Sequence, residues 1–186
     1  MPERIANKIV LTEDAEQQNL IRRYLQRCGH DSRECRFVPL PARSRGGSGE
    51  KYVRDQYPQQ VQSCRSSIGR RAAVLLVVMT DADKETTQHH AGQLVNALKA
   101  VGMHARGDDE PVVVLIPKRH VETWIRALLG DHVDEVTDYT RPTPTANEIK
   151  DAANELYGWT RPGANTGVTP TPSLTASLPE WRKIPS

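Results

Sequence analysis

Acidic residues directly follow two short apolar runs of the sequence. Glu13 follows the run at residues 8–11, and Asp81 and Asp83 follow the run at residues 72–79. In an extended segment, side chains two residues apart point the same way, so Asp81 and Asp83 are expected to face one ion. Mg²⁺ or Mn²⁺ suits such carboxylate ligands and would relieve their mutual repulsion. A lone Asp-x-Asp pair is often just a helix cap beside a solvated acid, but the acid after the first run favours a metal site.

Four apolar runs and the amphipathic segments between them predict the scaffold that positions these acids. The run at 72–79 is apolar on both faces, as a central parallel strand is. Alternation of strands and helices predicts an α/β fold with a central parallel sheet flanked by helices, and sites in such folds lie beyond the carboxyl ends of the strands. Pro58 predicts a kink or a break in the second helix. The predicted strands are 8–11, 36–40, 72–79 and 112–116, and the predicted helices include 86–101, 120–129 and 147–157.

The end of the sequence differs in composition from the rest. Residues 1–158 carry the strand and helix patterns and are predicted to form one domain. Residues 159–186 are rich in Pro, Thr, Ser and Gly, which predicts a disordered or extended tail. Trp159, Leu178 and Trp181 are the residues that could still dock this tail against the domain or a partner.

Charge and hydropathy limit the classes of function. No apolar run approaches the roughly 18 residues that span a bilayer, and no apolar segment follows the N-terminus as in a signal peptide, so we expect a cytoplasmic protein without membrane contact. Twelve basic and four acidic residues lie between Arg22 and Arg71, whereas acids outnumber bases after Arg71. The basic half is expected either to face a polyanion such as nucleic acid or to be a solvated surface.

The ordered set of acids resembles a known family. Toprim domains carry a Glu after their first strand and an Asp-x-Asp after a central strand, as in VLTE at 10–13 and VVMTDAD at 77–83. The segment IPKRHVETW at 116–124 resembles one found in small Toprim proteins and OLD-type nucleases of bacterial anti-phage systems. The resemblance covers roughly residues 7–157. The usual Glu-Gly pair is replaced here by Glu-Asp, which leaves Glu13, Asp14 and Glu16 as candidates; we choose Glu13 as the nearest to the strand end.

The resemblance implies an activity and further site residues. It implies a Toprim-like (Rossmann-like) fold and metal-dependent cleavage of DNA or RNA, in which Glu13, Asp81 and Asp83 hold Mg²⁺. By the same resemblance, Lys118 stabilises developing phosphate charge and Glu122 holds a second metal ion. The alternative for Glu122 is that it opens a helix, where a negative charge is favourable. An ABC/OLD-type ATPase partner is also implied, and formation of a homo-oligomer is left open.

A glycine-rich segment precedes the second predicted helix and is surrounded by basic residues. Free backbone N–H groups at a helix start attract phosphate, so this segment is a candidate nucleic-acid contact. The alternative is a flexible loop without a ligand. The candidate contacts are Arg43, Arg45, Lys51 and Arg54.

The sequence is compatible with three functions. The first is a metal-dependent nuclease acting as the effector of a defence system, and the second is a Toprim adaptor or nucleic-acid-binding subunit without catalysis. The third is a receiver-like signalling domain with Asp81 as phosphoacceptor and Lys118 as charge sensor, which we disfavour because Asp81 lies too far along the chain. His120 is the histidine nearest the expected site, and a solvated or capping role is expected for it.

Overall fold

Strands and helices alternate along the chain. The structure, a computed structural model, describes residues 7–41, 48–68, 74–164, 166 and 171–186. A short 3-10 turn at Ser32–Glu34 precedes the second strand. The elements are β1 (Asn7–Leu11), α1 (Ala15–Arg27), β2 (Cys35–Phe37), α2 (Gly49–Ser67), β3 (Val74–Met79), α3 (Thr87–Ala100), β4 (Val112–Leu115), α4 (Val121–Leu128), α5 (Ala146–Trp159) and α6 (Pro172–Trp181).

The four strands form one parallel sheet in the order β2-β1-β3-β4. Because successive side chains of a strand point to opposite faces, Val10 and Val77 pack on one side of the sheet and Leu11 and Val78 on the other. The first side is covered by α1, α4, α5 and α6, and the second by α2 and α3. This confirms the predicted α/β fold with a central parallel sheet flanked by helices.

Prolines follow two of the strands. The N–H of Val38 donates to the carbonyl of Val10 at 2.8 Å, so the N–H that Pro39 lacks would face the outer edge of the sheet, where a proline is tolerated. The second strand is shorter than the predicted 36–40, and Pro117 lies just beyond β4, which ends at Leu115. The break predicted at Pro58 does not occur, since α2 runs through this residue without interruption.

The last part of the chain corrects the prediction of a disordered or extended tail. Residues 172–181 form α6, and Leu174, Leu178, Trp181 and Ile184 are buried in the core cluster on the α1 side. Burying one such side chain contributes about 1.5–3 kcal/mol, which offsets the ordering of a short polar segment. The boundary predicted after residue 158 also falls inside α5, whose last residue, Trp159, is buried.

The final helix also covers the open edge of the sheet. The Glu180 carboxylate accepts the N–H of Val114 in β4 at 2.9 Å and pairs with Arg106 at 2.7 Å. An edge strand with free N–H groups is a template for unwanted pairing, so this contact protects β4. Within the described ranges, no helix is long and apolar enough to cross a membrane.

Candidate functional site

The predicted acids lie where the sheet reverses its strand order. From β1 the chain passes to β2 on one side of the sheet, and it later returns to place β3 and β4 on the other side. The carboxyl ends of the neighbouring strands β1 and β3 therefore flank the crevice where doubly wound folds bind ligands. Glu13 and Asp14 follow β1, and Asp81 and Asp83 follow β3.

Glu13 is held against the end of β3 by hydrogen bonds. Its Oε1 accepts the Thr80 hydroxyl and, at 2.9 Å, the backbone N–H of Asp81. Its own backbone N–H donates to Gln17 Oε1 at 3.0 Å. These contacts link the ends of β1 and β3 across 67 residues of sequence and confirm that Glu13 lies beside Asp81.

The first turn of α2 lies in close contact with Glu13. A Cβ atom added at Gly49 would lie 2.8 Å from Glu13 Cβ and 3.3 Å from its Oε2, so no side chain fits between helix and acid. In the sequence, Gly49 belongs to the glycine-rich segment that precedes the second predicted helix, and no close approach to Glu13 was expected there. A glycine at the first position of a helix was the available signal, because glycine permits close backbone approach.

Asp81 is buried, and one oxygen of its carboxylate is weakly satisfied. Its Oδ2 lies 3.5 Å from His120 Nδ1, whereas its Oδ1 makes no hydrogen bond of normal geometry to a described residue. The Gln17 amide is a nearby donor, since its side-chain hydrogen bond lowers the pKa of Asp81, but Gln17 Nε2 also falls outside normal hydrogen-bond geometry. A buried carboxylate oxygen held this weakly leaves room for an external ligand or ion.

Asp83 differs from the expected extended geometry. Its φ is +48°, in the left-handed region, and its side chain is 57% exposed. Its N–H donates to the Arg119 carbonyl at 3.2 Å, which ties the Asp-x-Asp segment to the loop after β4. Asp83 Oδ1 still lies 3.4 Å from His120 Nδ1, so both aspartates face the same imidazole.

His120 is the site residue that sequence reasoning underrated. It is the N-cap residue of α4, but its side chain makes no capping hydrogen bond to the helix. The hydrogen bond to Asp81 and the charges of Asp81 and Asp83 raise the pKa of His120. The imidazole is therefore protonated more readily than a free one and faces both aspartates.

Glu122 joins the acids from the first turn of α4, where it is buried. Burial, followed by the charges of Asp81, Asp14 and Glu16, raises its pKa to about 7. The predicted proximity of Glu122 to the strand-end acids is therefore present. Its charge also lies at a helix start, as the alternative interpretation expected.

Burial and mutual repulsion dominate the electrostatics of the cluster. Burial, and then the charge of Asp81, raises the pKa of Glu13 to about 8. Burial raises the pKa of Asp81 to about 6, and the hydrogen bond to His120 limits that rise. Burial also raises the pKa of Asp14, whose carboxylate caps α1 by accepting the N–H of Gln17 at 2.8 Å. The site thus holds several carboxyls that are protonated more readily than usual.

Among the described residues, none of the predicted basic side chains forms an ion pair with the strand-end acids. Lys118 Nζ donates to the Glu85 carbonyl at 2.5 Å, and its backbone N–H donates to Ser173. Lys51 pairs with Asp55 at 2.6 Å, and Arg54 pairs with Glu50 at 2.7 Å, so each already has an acidic partner on α2. Arg43 and Arg45 lie outside the described residues.

The predicted metal ligands do not form a ready-made coordination shell. Among the described residues, no three His, Cys, Asp or Glu side chains are arranged to hold a metal ion. Hydrogen bonds engage Glu13 Oε1, whereas the buried Asp81 Oδ1 makes no hydrogen bond of normal geometry to a described residue. The donor set fits a hard divalent cation in chemistry, and binding one requires the side chains around Asp81 to rearrange.

The fold and the site together define a doubly wound α/β protein with a buried carboxyl cluster at its strand-order reversal. Comparisons of the chain with protein-family models, with curated proteins and with solved structures found no match.

Proposed function

We propose that the protein is a Mg²⁺- or Mn²⁺-dependent nuclease that hydrolyses phosphodiester bonds of DNA or RNA. The observation that carries the proposal is the buried Oδ1 of Asp81 at the strand-order reversal, which makes no hydrogen bond of normal geometry to a described residue and lies in the field of the Glu13 and Glu122 carboxyls. Acids from three separate segments converge there, each with a raised pKa, and a divalent cation would stabilise their ionised forms. The resemblance to Toprim proteins supports the same assignment.

The chain's own residues would act in separable roles. Asp81 and Glu13 would hold the ion, with Asp83 at the exposed side, and Glu122 would complete a second site. The cation would polarise the phosphodiester and acidify water. Thr80 and the Asp81 N–H fix Glu13, and His120 fixes the orientation of both aspartates. Lys118 would reach the phosphate only after leaving the Glu85 carbonyl.

The setting of this activity is part of the proposal. We propose that the protein works in the cytoplasm as the effector of an anti-phage system, under the control of an ABC/OLD-type ATPase. What supports this is the resemblance of the segment at 116–124, together with the ordered acids. A nuclease that acts on the cell's own nucleic acid needs such control.

The test compares Asp81→Asn with a matched control. Supercoiled plasmid and total tRNA are incubated with Mg²⁺ or Mn²⁺, with and without the ATPase encoded beside the gene. Cleavage is expected for the wild type and for Asp151→Asn, which removes an exposed charge on α5, and a loss of at least ~100-fold is expected for Asp81→Asn. If a folded wild type cuts nothing under any condition, the nuclease is ruled out and the non-catalytic adaptor becomes the better assignment.

One observation favours the receiver-like alternative. The order β2-β1-β3-β4 is that of flavodoxin-like folds, to which receiver domains belong, and Asp81 follows β3. Burial of Asp81 argues against a phosphoacceptor, because the carboxylate must be reached by a phosphodonor. Incubation with acetyl phosphate separates the two, since a covalent phosphate on Asp81 is expected only for a receiver.

A further inference from the structure

Helix α1 carries arginines that have no acidic partner. Arg22 donates to Gln18 at 3.2 Å and lies 4.4 Å above the Phe37 ring. Arg23 donates to Gln26 at 3.3 Å. Within the described part of the chain, neither of these arginines forms an ion pair, and nor does Arg27.

Arg161 extends the same positive surface beyond α1. Its guanidinium lies 4.1 Å from the centre of the Tyr157 ring, and that of Arg27 lies 5.2 Å from the same ring. The hydrogen bonds of Arg161 go to neutral oxygens of Tyr157, Thr160 and Ser186. Two guanidinium groups thus share one aromatic ring without a carboxylate. We call the set of Arg22, Arg23, Arg27 and Arg161 the arginine face.

Several arginines elsewhere in the fold are paired differently. Each of four others contacts a carboxylate: Arg54 with Glu50, Arg65 with Glu110, Arg106 with Glu180, and Arg126 with Asp131 and Glu148. Arg23 and Arg27 are moreover four residues apart on one helix, a spacing at which like charges destabilise the helix. Among the other described arginines, Arg33, Arg36, Arg119, Arg141 and Arg182 also form no ion pair. The arginine face differs from these because three of its members share one helix, where an external anion would relieve the repulsion between Arg23 and Arg27.

Helix α5, next to α1, carries three acids, of which Glu148 and Glu155 are engaged in other contacts and Asp151 is exposed and forms no ion pair with a described residue. Glu148 accepts the N–H of Thr145 in a capping box, and Glu155 accepts the Trp159 indole N–H at 2.8 Å. They do not pair with the arginine face. A pocket of about 230 Å³ lies between α1 and the start of α5, and its α1 side consists of donors suited to phosphate oxygens, namely Asn19, Arg22, Arg23 and Gln26.

Helix α1 begins at the acid cluster and leads to these arginines. Asp14 is its N-cap, and at 1.5 Å per residue Arg23 lies about 13 Å and Arg27 about 20 Å further along the axis. Phosphates of one strand follow one another at about 3.4 Å of rise in duplex DNA. A strand whose scissile phosphate lies at the acids would thus reach the arginine face about four to six nucleotides away.

We propose that the arginine face binds the phosphodiester backbone of nucleic acid and holds the substrate on one side of the acid cluster. The proposal rests on the proposed function for the identity of that substrate. It places the nucleic-acid contact on α1 and Arg161 instead of on the acid-paired Lys51 and Arg54. Recognition is through the charge of the backbone, since arginine forks match phosphate oxygens regardless of base sequence.

The test measures binding without cleavage. Fluorescein-labelled single-stranded and duplex DNA is titrated in EDTA between about 50 and 200 mM salt, with wild type, with Arg23→Gln/Arg27→Gln, and with Arg54→Gln/Lys99→Gln. The last variant removes the same charge from α2 and α3, on the opposite side of the sheet. Glutamine keeps the helix propensity of arginine, so folding is expected to be preserved.

The expected result is specific to the α1 variant. Its Kd should rise roughly ten- to fiftyfold, and the slope of log K against log salt should fall by about 1.4–1.8, while the control variant binds like wild type. Equal weakening in both variants, an unchanged Kd in the α1 variant, or no binding by wild type would overturn the proposal. A wild type that binds in EDTA but never cuts with metal keeps the arginine face and rejects the nuclease.

Discussion

Stability of the metal-free protein should fall as the pH rises through neutrality. Burial and the charge of Asp81 raise the pKa of Glu13 from 4.5 to about 8. Because this pKa is higher in the folded than in the unfolded state, the folded protein binds more protons between these two values. The free energy of unfolding therefore decreases as pH rises from about 4.5 to about 8; the stabilisation is complete below that window and lost above it.

The size of the effect follows from the same shift. One pKa unit corresponds to about 1.4 kcal/mol, so a rise of roughly 3.5 units gives an upper limit of about 5 kcal/mol for Glu13. Glu13 is only partly buried, and its ionisation is coupled to that of Asp81, so we expect about half of this, roughly 2–3 kcal/mol. Asp81 and Glu122 act in the same direction, with pKa values raised to about 6 and about 7.

The assay is urea unfolding in EDTA at about pH 5, 7 and 9, with wild type and Glu13→Gln. Glutamine keeps an oxygen that can accept from Thr80 and from the Asp81 N–H, but it cannot ionise. The variant should show a flatter profile and should be more stable than wild type at the highest pH. Parallel profiles would refute the raised pKa of Glu13. Added Mg²⁺ should restore wild-type stability at high pH, because the ion binds the ionised acids.

Two further changes test other contacts of the fold. Gly49→Ala should cost about 1–3 kcal/mol of stability and weaken metal-dependent cleavage, because the new Cβ meets Glu13. The control Gly92→Ala in α3 places a Cβ that meets nothing within 4 Å and should stabilise the protein by up to ~1 kcal/mol. Equal effects of the two variants in thermal unfolding would contradict the close approach of Gly49 to Glu13. Trp181→Ala should cost about 3–5 kcal/mol in urea unfolding, because Trp181 is 0% exposed. The control Val136→Ala, at an 82% exposed position, should change stability by less than ~0.5 kcal/mol. A similarly small effect of Trp181→Ala would contradict the packing of α6 against the domain.

The scaffold could be predicted because its signals are local. Residues 74–79 are apolar without interruption, and Pro39 and Pro117, which follow β2 and β4, are visible in the sequence as residues that mark a strand end or an edge. The positions of Glu13 and Asp81 followed from a general rule about strand ends. That rule places residues within a few ångströms but does not give the orientation of their side chains.

The parts that sequence reasoning missed depend on tertiary contacts or on short periodic patterns. The spacing of Leu174, Leu178 and Trp181 is helical, but the surrounding Pro, Thr and Ser dominate the average composition. The left-handed φ of Asp83 is imposed by contacts with the loop after β4, so an argument from extended geometry could not reveal it. The pairing of Lys51 and Arg54 within α2 was visible as spacing of four residues and should have weakened their assignment to nucleic acid.

Two clusters of like-charged groups stand out among the described residues. Carboxyls gather at the ends of β1 and β3, where His120 contacts them and Lys118 is directed to the Glu85 carbonyl instead. Guanidinium groups gather on α1, where they meet amides and aromatic rings. On the two proposals made above, a divalent cation would neutralise the first set and a phosphodiester backbone the second. A substrate strand with a bound metal ion would then supply both at the spacing that α1 provides, and the two sets would form one surface.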